Sequence, residues 1–156
     1  TTSTSKPAGQ LADQYGVRTM LRVDDAEIKF EIVLEGRITL EAPGDGDLLC
    51  GVATLTPLDM VTSKLLANAD RWRDDAVLCR DLIDLAMMMP SKALLREAIV
   101  KAEGAYGEAI QTDLRRAVQN LRERPHRLDH CMRAMRMTAV PKALLWKRIK
   151  SLEPRA

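Results

Sequence analysis

At 156 residues, 46% of them hydrophobic and 29% charged, the chain has the size and balance of a soluble globular domain built around one core. That balance excludes a wholly disordered chain, no apolar run approaches the roughly 20 residues of a membrane span, and an aromatic content of 3% leaves too few rings for a single-strand stacking platform. The formal charge of +2 hides an asymmetry: from Arg115 onward 12 Lys plus Arg face 3 Asp plus Glu, and before it 12 face 19. A basic C-terminal third on an acidic body is an electrostatic footprint for a polyanion such as RNA. The same pattern also arises from solvated helix faces that pair with the acidic half.

Residues 1–16 read as a lead-in rich in Thr, Ser, Pro and Gly, and Thr1 to Gln10 contains no apolar segment of a secretory signal. From residue 17 the pattern becomes extended. Val17 to Val23 is a candidate strand, Asp24-Asp25 a turn, and Glu27 to Leu34 a second strand with Ile28, Phe30, Ile32 and Leu34 on one face. Glu35-Gly36 reads as a tight turn, Arg37 to Ala42 as a third strand with Ile38 and Leu40 inward, and Val52 to Leu55 as a short fourth. Residues 17–55 are therefore expected to form a small antiparallel meander. A sheet of that size is expected to pack on the helices that follow, and its open edges suggest that a larger sheet continues it.

From residue 56 to 156 the period is helical. Thr56 is placed to cap, Pro57 occupies the first helical position, and Asp59 suits the helix dipole in a helix running to about Asp70. A second helix is expected over Asp75 to Met89, stopped by Pro90, and a third from the cap Ser91 to about Gly104. Tyr106 to Arg124 follows, then two shorter basic helices, His126 to about Met137 and Lys142 to about Leu152. The fold class is α+β: a small antiparallel sheet of three to four strands with a predominantly helical C-terminal bundle.

The second helix holds the least expected feature. Between Val77 and Met89 nearly every residue is apolar except Arg80, Asp81 and Asp84, which cluster on one side, and the preceding helix carries Lys64, Asn68 and Arg71 at i, i+4 and i+7. If the two helices form an antiparallel hairpin, a cationic stripe faces a carboxylate pair. Such groups are too costly to bury unpaired, so they meet one another, a ligand or water. A structural ion-pair network bracing the hairpin would produce the same pattern.

Other signals are weak. Cys50, Cys79 and Cys131 are odd in number and far apart, so they form neither a disulfide framework nor a CxxC metal pair and suit a reducing cytoplasm. His126 and His130 beside Cys131 fall short of the roughly four ligands of a zinc site. Met87 to Met89, Met132, Met135 and Met137 are expected to fill gaps in the core. The sequence contains no P-loop, no GxGxxG, and no convincing Ser-His-Asp or Cys-His order.

The wording of the sequence adds to its spacing. Leu55-Thr56-Pro57-Leu58-Asp59, then Lys64-Leu65-Leu66-Ala67-Asn68-Ala69-Asp70-Arg71, then Arg80-Asp81-Leu82-Ile83-Asp84-Leu85-Ala86, resembles the AbiEii/AbiGii toxin family of nucleotidyltransferases. Ile28-Lys29-Phe30-Glu31-Ile32-Val33 resembles that family's acid-bearing strand, and the likeness covers Val17 to Met89 well and the later helices loosely. The resemblance implies transfer of a nucleotide from an NTP to an RNA such as tRNA, or to a protein, with magnesium and with a cognate antitoxin as partner. It implies Glu31 as a metal carboxylate, which from the residues alone reads equally as a solvent-facing strand residue paired with Lys29, and Lys64 as the phosphate contact. Asp81 and Asp84 would orient Lys64 or take part directly, and Asn68, Arg71 and Arg80 would contact the nucleotide.

The family's pattern also includes a Gly-Ser followed about ten residues on by Asp-x-Asp, which supplies the first two metal carboxylates. These 156 residues contain no such element, and Asp45-Gly46-Asp47 reads as a turn. The expectation is therefore the C-terminal part of such a transferase, weak or inactive without those carboxylates, in the cytoplasm and with no membrane segment. Its basic helices would hold the RNA by phosphate contacts. The alternative is a non-catalytic helical module that binds a partner protein, an antitoxin or RNA.

Overall fold

The computed structural model describes residues 8–154. The first seven of the sixteen residues expected as a lead-in lie outside them. The protein is α+β, as its periodicities require, and it divides into two compact units at Arg37/Ile38.

The first unit is a three-stranded antiparallel meander in the order β1 (Ala8–Asp13), β2 (Gly16–Val23), β3 (Ala26–Val33). The lead-in expectation ran to residue 16 and so missed β1. Strand character there comes from pairing rather than from alternation, through the register Leu11↔Arg18, Ala12↔Val17 and Asp13↔Gly16. The β1–β2 turn needs its glycine: Gly16 has φ 147°, and a β-carbon there would stand 2.0 Å from the Ile32 carbonyl oxygen. Between β2 and β3 the anticipated Asp24-Asp25 turn joins Val23 to Ala26, with Asp24 left-handed at φ 52°. The register Thr19↔Phe30 and Arg18↔Glu31 sorts the pair into an apolar face and a charged face.

Arg37 to Ala42 is not the third strand that the sequence suggested. Ile38 packs against the helical core, while the Glu41 backbone N–H donates to the Asp59 carboxylate at 2.7 Å, so a helix side chain takes the hydrogen bond a sheet would have used. Leu40, expected inward, is exposed. A two-stranded ribbon of β4 (Leu48–Leu49) and β5 (Val52–Ala53) follows the Asp45–Asp47 turn.

Six helices complete the described residues: α1 (Pro57–Arg71), α2 (Arg80–Met88), α3 (Lys92–Tyr106), α4 (Ala109–Glu123), α5 (Pro125–Ala134) and α6 (Lys142–Ser151). Thr56 and Ser91 cap α1 and α3 as expected, accepting from the N–H groups of Asp59 and Leu94. The end of α3 is set by Gly107 at φ 59°, not by Gly104, which stays inside the helix. The second helix starts five residues later than its apolar pattern implied. Asp75–Val77 forms one 3₁₀ turn, and Leu78 and Cys79 then adopt left-handed φ angles of 59° and 54°, which break the helix before Arg80. Arg124 holds that turn with a two-pronged grip on Asp75, at 2.9 and 2.8 Å.

Helix α1 is the hub, packing on α2, α3 and α4, while α6 packs on α2. Leu65 and Leu66 from α1, Leu82, Ile83 and Leu85 from α2, Leu114 from α4 and Leu145 and Ile149 from α6 are fully enclosed. This aliphatic core is what an aromatic-poor chain has to build with, and it fixes the α1–α2 hairpin from beneath. Met132 is buried and Met87 and Met88 pack on the core, but Met89 is exposed.

Candidate functional site

Helix periodicity sends Leu65, Leu66 and Ala69 of α1 into the core and leaves Lys64 and Arg71 on the face turned to α2, with Asn68 between them in sequence. On α2 the core takes Leu82, Ile83 and Leu85, and Asp81 and Asp84 face back. The helices run antiparallel, so the earlier cation meets the later acid. Lys64 Nζ lies 2.6 Å from Asp84 Oδ2 and 3.4 Å from Asp81 Oδ1, and Arg71 donates from Nε and Nη2 to the two Asp81 oxygens at 2.6 and 2.9 Å. The facing stripes expected from spacing are thus brought together.

The two acids differ in setting. Asp81 is 3% exposed, whereas Lys64, Asp84 and Arg71 keep 34%, 39% and 43% of their side chains open to solvent. Burial pushes the Asp81 carboxyl up, but the Arg71 fork and the Lys64 charge outweigh it and hold the group below its ordinary value of 3.8. The same fork raises the Arg71 pKa. Asp81 is therefore a saturated anchor, while Asp84 accepts only from Lys64 among the described residues. Lys64 keeps one donor direction beyond its two carboxylates, at the solvent side. Asn68 is buried, and its Nδ2 has no hydrogen-bond partner among the described residues. Arg80 opens α2, is exposed, and has no carboxylate within ion-pair distance among the described residues. It stands outside the network.

Glu31 belongs to the other unit. On the charged face of β2–β3 its Oε1 lies 3.3 Å from Arg18 Nε across the strands and 3.0 Å from Lys29 Nζ. A carboxylate tied to two cations is poorly set up to hold a metal. Among the described residues no three His, Cys, Asp or Glu side chains come together in a way that fits a metal ion. The residues present therefore do not fit magnesium. Asp45 and Asp47 sit in the exposed turn anticipated for them, the Asp47 carboxylate accepting from the Gly44 N–H at 2.9 Å.

One ion pair went unseen in the sequence. Asp59, placed there as a first-turn acid, is fully enclosed and accepts from Lys101 of α3 at 2.5 Å as well as from Glu41. Its partner is 42 residues away, so no local spacing signals it. In the basic third, Arg116, Arg122, Arg124, Arg127 and Lys142 pair with acids, as the solvated-face reading allowed. Arg133, Arg136, Arg148 and Lys150 have no acid partner among the described residues. No described helix is long and apolar enough to cross a membrane.

Against known families, the model described as "Nucleotidyl transferase AbiEii toxin, Type IV TA system" matches residues 1–151. No curated protein matches the chain, and no solved structure does.

Proposed function

Because the chain belongs to the AbiEii nucleotidyl transferase toxin family of type IV toxin–antitoxin systems, we propose that the α1–α2 hairpin is its nucleoside-triphosphate contact, serving nucleotidyl transfer onto an RNA, such as a tRNA, or a protein acceptor in the cytoplasm. The observation that carries this reading is the Lys64 ammonium, clamped 2.6 Å from Asp84 yet one-third open to solvent. An ammonium steadied by carboxylates is pre-placed, and its remaining proton is available to a phosphate oxygen as charge builds on it in the transition state. Asp81 and Asp84 orient Lys64, Arg71 holds Asp81, Asn68, only 3% exposed, backs the pair rather than meeting the nucleotide, and the exposed Arg80 is a further cation for it. Two cations against two acids leave the cluster balanced, so the site relies on placement rather than on net attraction.

A divalent cation in such a reaction draws charge off the phosphates, and the residues described here do not fit one, so no part of this reading passes through a metal. The chain on its own is accordingly expected to transfer weakly or not at all. The test is labelled-NTP incorporation into total RNA and protein with wild type and Lys64→Ala. Incorporation that disappears in the variant at an unchanged melting temperature supports the assignment. Incorporation equal in both removes Lys64 from the reaction. A folded chain that binds no triphosphate under any condition leaves the helical binding module as the reading.

A further inference from the structure

The unpaired cations at the far end of the bundle frame a groove. On α3, Leu95, Ile99 and Val100 recur at i, i+4 and i+5, a helical stripe whose first two members form a buried floor, while Val100 is 68% exposed. The end of α6 and the residues after it form the opposite wall, enclosing a hollow of about 470 Å³. A second hollow of about 230 Å³ shares Lys92, Leu95 and Ser151 with the first and carries the groove on to Met89, which is 61% exposed. The apolar stripe itself covers about one and a half helical turns, and the α3 wall of the groove, from Lys92 to Glu103, about three.

Charge along the rim is predominantly positive, with Glu103 and Glu153 as the two acids among the lining residues. Lys92, Arg96, Arg148 and Lys150 line the two hollows, and none has a carboxylate within ion-pair distance among the described residues. The acids at the same end are occupied, Glu103 by Gln111 at 2.7 Å and Glu153 by Arg122 at 3.0 Å. A chain that pairs so many of its other cations leaves these four without an acid around an apolar trough, Arg148 reaching only the Met87 sulfur at 3.5 Å and Lys150 lying 5.8 Å over the Trp146 ring. Apolar anchors at helical spacing with a cationic border are the complement of an amphipathic helix whose apolar stripe is edged by carboxylates. A polynucleotide fits less well, since its phosphates would satisfy the rim but leave Leu95, Ile99 and Val100 against a polar backbone.

We propose that the α3–α6 groove is a docking surface for an acidic amphipathic helix of a partner protein. This assignment does not depend on the chain transferring nucleotides. The test uses the full chain and a fluorescein-labelled 18-residue peptide with Leu at i, i+3, i+4 and i+7 positions and Glu on either side, read by anisotropy at physiological salt. A scrambled peptide of the same composition and a labelled single-stranded RNA are the controls. The expected result is saturable binding of the amphipathic peptide, at least tenfold tighter than the scrambled one, and weakened at least tenfold by Val100→Asp and by Arg96→Glu. Both positions are exposed, so both variants should keep the wild-type melting curve. Equal binding of the scrambled peptide, indifference to both substitutions, or tighter RNA binding lost in the same two variants would overturn the proposal.

Discussion

Helix α1 carries two ion networks, one at each end, built from the same chemical parts and unlike in what they expose. At its start, Asp59 is wholly enclosed, and its oxygens are taken by Lys101 and by the Glu41 N–H. At its end, Asp81 is buried in the same way, but the cation that bridges it to Asp84 reaches solvent. The acid of this network has no exposed oxygen to offer a ligand, and Lys101 keeps 20% of its side chain open; the network ties the segment before the helices to α1 and α3. The open network has the same internal grip plus a donor facing outward, and only such an arrangement has chemistry to offer.

Substitutions that break one network and spare the other test that division. Asp59→Ala strands Lys101 against a buried site and should have the largest effect on stability, about 3–5 kcal/mol in urea unfolding. Asp81→Ala should cost less, about 2 kcal/mol, because Arg71 is partly exposed and can turn to water. Lys64→Ala should cost under about 1 kcal/mol while removing nucleotide binding. A Lys64→Ala loss as large as that of Asp59→Ala would mean that both networks are structural. In the first unit, Arg18→Ala removes the cross-strand contact to Glu31 at an exposed position and should shift stability by no more than about 0.5 kcal/mol.

Acid titration sharpens the same contrast. Both Asp59 and Asp81 are held below the ordinary 3.8, in each case because the cations and hydrogen bonds around them outweigh the opposing effect of burial. Their stabilisation is complete above 3.8. It is lost as pH falls through the lowered folded values, because the unfolded chain takes up the protons first. Urea midpoints followed downward from pH 5 should therefore fall steeply below pH 3.8. The fall should be shallower in Asp59→Asn, from which one of the linked protons is gone.

What could be read in the sequence was what repeats locally. Thr56 and Ser91 announce their helices, the 64–68–71 stripe and the 81–84 pair imply a hairpin, and the structure joins them with the polarity that an antiparallel pair dictates. The failures lie where distant residues decide. Residues 37–42 alternate like a strand, yet Asp59 and the helical core claim their backbone and Ile38. The apolar run after Asp75 looks like helix from its first residue, but Arg124 pins the 3₁₀ turn and Leu78 and Cys79 turn left-handed. β1 is a strand only because β2 lies beside it. For Glu31, the strand, the face and the tie to Lys29 two residues along it follow from alternation, while its tie to Arg18 follows from a register that one strand alone does not specify.

In this reading the open end of α1 meets a nucleoside triphosphate through Lys64. Equilibrium titration of the intact chain with each labelled NTP, comparing wild type with Lys64→Ala at matched melting temperatures, puts it to the test. The expected result is saturable binding of at least one NTP, weakened tenfold or more in the variant. Identical affinities in the two proteins would contradict it.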